Sequence, residues 1–180
     1  MRNTVFFAAG IVLLLIQANL YRLTGWMHVA GLVPSLLLPL ILFMGVHEYS
    51  LARGASVSFV LGYATDLIGI APVGLHTFTF VAIFVLARAA GVRLAAQTMM
   101  MQVVLALAFT LVHSVMILVL LAIFGRDAYV PRTLYRLILP HVLATGAIAP
   151  LVFRLAERLH TATMTSSREG APGQTAGWLE

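Results

Sequence analysis

The sequence predicts an all-α polytopic membrane protein, a six-transmembrane-helix bundle with N and C termini in the cytoplasm. Three observations predict it. Of the 180 residues, 61% are hydrophobic and only 9% are charged, against roughly a quarter charged in a soluble domain. Six apolar segments recur, each near the ~20 residues that a helix needs to cross the hydrocarbon core. The links between them are short, which leaves no room for a second sizeable domain.

The first segment, Thr4–Tyr21, follows Arg2 as a signal peptide would. No small-x-small cleavage site follows it and further apolar segments do, so it reads as a retained first span. The second, Val29–Val46, carries Pro34 and Pro39. The third, Ala55–Ile70, is short and is joined to the fourth, Val73–Ala90, through Ala71 and Pro72 alone. These two must form a hairpin, with Pro72 stopping one helix and starting the next. Met99–Phe124 is the fifth span and Leu137–Leu155 the sixth, the latter carrying Pro140 and Pro150. Membrane helices tolerate such prolines because neighbours re-satisfy the freed carbonyls; they read as static kinks or helix starts. Residues 1–160 then form the transmembrane domain. The remainder, 161–180, is rich in Ser, Thr, Gly and Pro and has no apolar periodicity, so it reads as a disordered cytoplasmic tail.

All eleven basic residues are arginine, and the net charge is +5. In a soluble protein that charge would suggest nucleic acid. Here the arginines stand singly between apolar runs, the pattern of juxtamembrane anchors in a lipid bilayer, with no nucleic-acid partner. With a cytoplasmic N-terminus, Arg2, Arg53, Arg88, Arg93, Arg154, Arg158 and Arg168 fall on the inner side. Arg22, Arg126, Arg132 and Arg136 fall on the outer side, so the positive-inside bias favours this orientation.

Cysteine is absent, which excludes disulfides, thiolate metal sites and cysteine nucleophiles. His76, His113 and His141 fall in the fourth, fifth and sixth spans. With Asp66 they are candidates for a cavity, because intramembrane ionisable groups are functional candidates by default. They show no i,i+4 histidine pairing, no HExxH and no second carboxylate at membrane depth, so neither a metal site nor a proton relay is the reading adopted. Ser114 directly follows His113, and adjacent helix residues face apart. No serine- or aspartyl-protease motif is present. The sequence therefore gives no catalytic residues, no cofactor and no enzyme.

On the third span, Ala55, Ser58, Gly62, Asp66 and Gly69 recur at spacings of 3, 4, 4 and 3. One helical face thus carries small residues, the arrangement that permits close helix contact in a bilayer, and Asp66 shares it. Asp66 also lies within two turns of the hairpin. There it can accept from the free N–H groups that begin the fourth helix. The expected role is a buried cap that locks the hairpin, the alternative being a ligand or ion contact. Amide and carboxylate can both cap, so Asp66→Asn is expected to preserve the fold and Asp66→Leu to lose it.

The second span (VPSLLLPLILFMG), the loop ending in Arg53–Gly54 and the block FVLGYATDLIGIAPVGLHTFTFVAIFVLAR together resemble the rod shape-determining MreD family. The family pattern F-x-x-G-x-x-x-D-L, then a Gly/Pro turn and a Gly opening the next helix, falls on Phe59, Gly62, Asp66, Leu67, Gly69, Pro72 and Gly74. The match covers roughly residues 30–90, and length and hydropathy agree along the rest. The resemblance implies a non-enzymatic inner-membrane component of the elongasome, the machinery of lateral peptidoglycan synthesis. Its implied partner is MreC, and through it MreB, RodA and a class B penicillin-binding transpeptidase. Ser58 and the motif residues are then helix-packing or partner-facing. The implied fold is similar to the six-helix substrate-binding component of energy-coupling-factor transporters, which keeps a small-molecule binding function as the alternative.

Overall fold

A computed structural model describes residues 2–24, 33–47, 50–69, 72–90, 98–124 and 134–169. Those residues build six helices: α1 (Arg2–Thr24), α2 (Leu37–His47), α3 (Leu51–Ile68), α4 (Leu75–Ala89), α5 (Met99–Phe124) and α6 (Leu134–Glu169). Among the described residues there is no strand.

The packing follows from which helix can bury its whole circumference. Between Leu37 and Val46 the second helix reads LLPLILFMGV, with no polar side chain, and every one of those residues is buried. A helix apolar all round belongs inside. It touches all five others, which close around it in the order α1, α3, α4, α5, α6 and back to α1. Phe43, at the middle of this core, meets Phe6 of α1 at 6.1 Å and Phe153 of α6 at 5.9 Å between ring centroids.

The outer ring is apolar outside, and its inner side mixes apolar side chains with most of the fully buried polar ones. Leu15, Val60, Leu67, Val104, Val119, Leu143 and Leu151 are all more than 40% exposed, whereas Ser58, Thr79, Thr110 and Thr145 have no exposure at all. Water would reverse that arrangement; hydrocarbon tolerates it. By length and composition, two helices can cross a membrane, Met99–Phe124 and Leu137–Ala162. Thr4–Leu20, Leu37–His47 and Leu75–Ala89 are apolar but shorter.

Three expectations are corrected. The second helix begins at Leu37, eight residues later than the apolar run suggests; Val33–Leu36 is non-helical, and 29–32 lie outside the described residues. Two prolines set this start. Pro34 precedes the helix, and Pro39 falls in its first turn, where a missing N–H costs nothing. The freed backbone is satisfied from the ring: Gln17 Oε1 accepts from Leu36 N–H (2.9 Å), Thr145 Oγ1 accepts from Ser35 N–H (3.0 Å), and His141 Nδ1 donates to Val33 O (2.7 Å).

The hairpin link is longer than two residues. The α3 helix ends at Ile68 and α4 starts at Leu75, so Pro72 begins a turn and not a helix. Leu75 N–H donates to Pro72 O (3.2 Å), with Gly74 at φ 102°. Glycine suits that third turn position because it alone takes positive φ freely. Finally, α6 continues to Glu169, nine residues into the segment expected to be a disordered tail. It passes through Pro140 and Pro150 without ending, and residues 170–180 lie outside the described residues.

Candidate functional site: the Asp66 junction

Asp66 sits in the last turn of α3, 2% exposed, facing the start of α4. Its two oxygens take five hydrogen bonds. Oδ2 accepts from Gly74 N–H (2.9 Å), Thr77 N–H (3.1 Å) and the Thr77 hydroxyl (2.7 Å). Oδ1 accepts from His76 N–H (2.9 Å) and His76 Nδ1 (2.9 Å). Three of these donors are backbone groups at the start of α4 that have no intrahelical partner, and a negative charge there complements the helix dipole. Gly74, at the N-cap position, brings no side-chain cap of its own. A carboxylate borrowed from the preceding helix does that work.

This geometry reverses the expectation for Asp66→Asn. Both oxygens act only as acceptors, so an amide must turn its NH2 toward at least two donors. Asparagine supplies one acceptor where the junction uses two.

The close approach that makes these bonds possible depends on Gly62, one turn earlier on α3. A Cβ built there would lie 2.6 Å from Thr77 Cα and 2.8 Å from His76 O. These are backbone atoms of α4 and cannot rotate away.

The other sequence candidates divide by face. Ser58 is fully buried and its Oγ has no hydrogen-bond partner among the described residues. Phe59 (53% exposed) and Leu67 (62%) point outward, away from the junction. Gly69 ends α3, donating its N–H to Thr65 O (2.9 Å), and Gly69, Pro72 and Gly74 are exposed.

The histidines are only partly brought together. His76 joins Asp66 directly, and its ring lies 6.2 Å from that of His113 on α5. His113 is buried, with Nε2 3.4 Å from Thr79 Oγ1 and Nδ1 unpartnered among the described residues. His141 is engaged elsewhere, on the Val33 carbonyl before α2. Among the described residues, no group of three His, Asp or Glu side chains is placed to hold a metal ion.

Sequence reading missed Gln17, Ser35, Thr77 and Thr145, the polar groups that hold the α2 start and the hairpin. Thr77 was within reach: it lies three residues after the turn glycine and facing an acid, as an N-terminal donor should.

The family model of the rod shape-determining protein MreD matches residues 1–159. The chain belongs to the MreD family. An MreD-family chain is a rod shape-determining membrane protein, which fits the apolar exterior described above. The match extends well beyond residues 30–90, where the motif resemblance lay, to include α1, α5 and most of α6. No curated protein and no solved structure matches the chain.

Proposed function

We propose that this MreD-family protein is a non-enzymatic, multi-pass scaffold of the bacterial inner membrane. On this reading all six helices span the bilayer, with both termini cytoplasmic. It binds the membrane segment of MreC and through it acts on MreB, RodA and the class B transpeptidase during lateral peptidoglycan synthesis. The observation that carries this reading is the junction itself. The one acid of the motif block is saturated by five bonds that fasten two helices, which spends its charge on architecture. The other motif side chains, Phe59 and Leu67, face outward with Tyr63 on α3, a surface suited to a partner helix.

Depletion of the protein should turn rod-shaped cells round, and MreC should co-purify with it from detergent-solubilised membranes. Crosslinkers placed at Phe59 or Leu67 should capture MreC. Normal rods after clean deletion, without a redundant copy, would overturn the proposal.

The second reading, a vitamin- or metabolite-binding transporter component, draws on the buried Nδ1 of His113, unpartnered among the described residues, beside His76. A tight ligand found by a thermal-shift screen, lost in His113→Leu, would put that reading first.

A further inference from the structure

Outside the junction, the outer face of α6 has a two-part character. Leu143, Ala147, Leu151 and Leu155 form an exposed apolar stripe. At spacings of three and four residues the stripe runs into Arg154, Arg158 and Thr161, all exposed. These three and Glu157 line an open depression. From Leu151 to Arg158 is about 10 Å along the helix axis at ~1.5 Å per residue, so the basic pair stands where the apolar stripe gives way to headgroups.

The two arginines are not used up internally. Arg154 Nη2 donates to Met99 Sδ at 3.5 Å, a weak acceptor on the neighbouring start of α5. Arg158 has no ion partner among the described residues. The Thr161 hydroxyl donates back to Arg158 O and Glu157 O (3.0 and 3.1 Å), so its proton is committed to the helix backbone. Glu157 lines the same depression and opposes an anion, so the two arginines act against one carboxylate.

We propose that Arg154 and Arg158 hold the phosphate of an anionic phospholipid whose acyl chain lies along Leu151 and Leu155. Guanidinium groups match phosphate oxygens in bidentate fashion, and the apolar stripe supplies what a free anion would not use. The proposal rests on α6 spanning the membrane, and not on which terminus is cytoplasmic.

The test uses the full chain in detergent, with native mass spectrometry and a titration of phosphatidylglycerol against phosphatidylcholine of the same acyl chains. Phosphatidylglycerol should be retained preferentially, and more weakly as salt rises. The R154Q/R158Q variant should lose about 25-fold in affinity, taking about fivefold for each basic residue near an anionic surface. R53Q, with a charge removed from α3, should change little, and E157Q should bind more tightly. Circular dichroism and size-exclusion chromatography establish that each variant is folded. Equal binding of the two lipids, or an unchanged R154Q/R158Q, overturns the proposal. Glycerol 1-phosphate competing as well as the lipid would overturn it too, in favour of a free-anion site. A chain that stays soluble without detergent would instead refute the membrane span itself.

Discussion

Asp66→Leu should prevent the protein from accumulating in membranes. The substitution keeps the branching of the side chain but puts methyl groups where oxygens stood 2.7–3.1 Å from their donors, so crowding adds to a cost that is chiefly lost hydrogen bonding. It strands three backbone N–H groups, the Thr77 hydroxyl and His76 Nδ1. Each buried donor left unpaired costs about 1–3 kcal/mol. Even a few of them together rival the ~5–15 kcal/mol that separates a typical domain from its unfolded state. Asp66→Asn should be intermediate, keeping one acceptor and opposing the other set of donors. Thr77→Val should be mildest, since it removes one hydroxyl and leaves the Thr77 N–H bond in place, at about 1 kcal/mol. Membrane levels by immunoblot and melting temperature in detergent should therefore rank wild type, Thr77→Val, Asp66→Asn and Asp66→Leu in descending order. Asp66→Leu melting with the wild type would sink the locking role.

The hairpin was legible in the sequence because its logic is local. Gly62 and Asp66 are one turn apart on one face, and the acid lies within two turns of a Pro/Gly link. Spacing alone then aims it at the next helix. The central position of α2 was not legible. Its backbone is completed by Gln17, 19 residues before Leu36, and by Thr145, 110 residues after Ser35. No periodicity encodes such pairings, and the same apolar run reads equally well as a full-length outer span. The extent of α6 had a signal that composition obscured. After Pro150 the next glycine or proline is Gly170, and α6 is helical through Glu169, the last described residue. Polar residues from Thr161 onward removed the apolar stripe but supplied no breaker, and a helix already started propagates without one.

Gly62→Ala should destabilise the protein despite adding the best helix former. In an open helix the change would gain about 1 kcal/mol. Here the new Cβ meets Thr77 Cα at 2.6 Å and Thr77 N at 2.9 Å, both backbone, so α3 and α4 must part. Overpacking of this kind costs about 1–3 kcal/mol. The separation also acts one turn away, because the Asp66 bonds of 2.7–3.1 Å weaken once the helices shift by several tenths of an ångström. The two substitutions therefore damage one junction and should not add. In the Asp66→Asn background, where the bonds are already weakened, Gly62→Ala should lower the melting temperature by less than it does in the wild type, the signature of coupled neighbours. Strict additivity would mean that Gly62 only makes room. Non-additivity would mean that it sets the distance at which Asp66 holds the hairpin, which makes the glycine and the acid of the family motif two parts of one device.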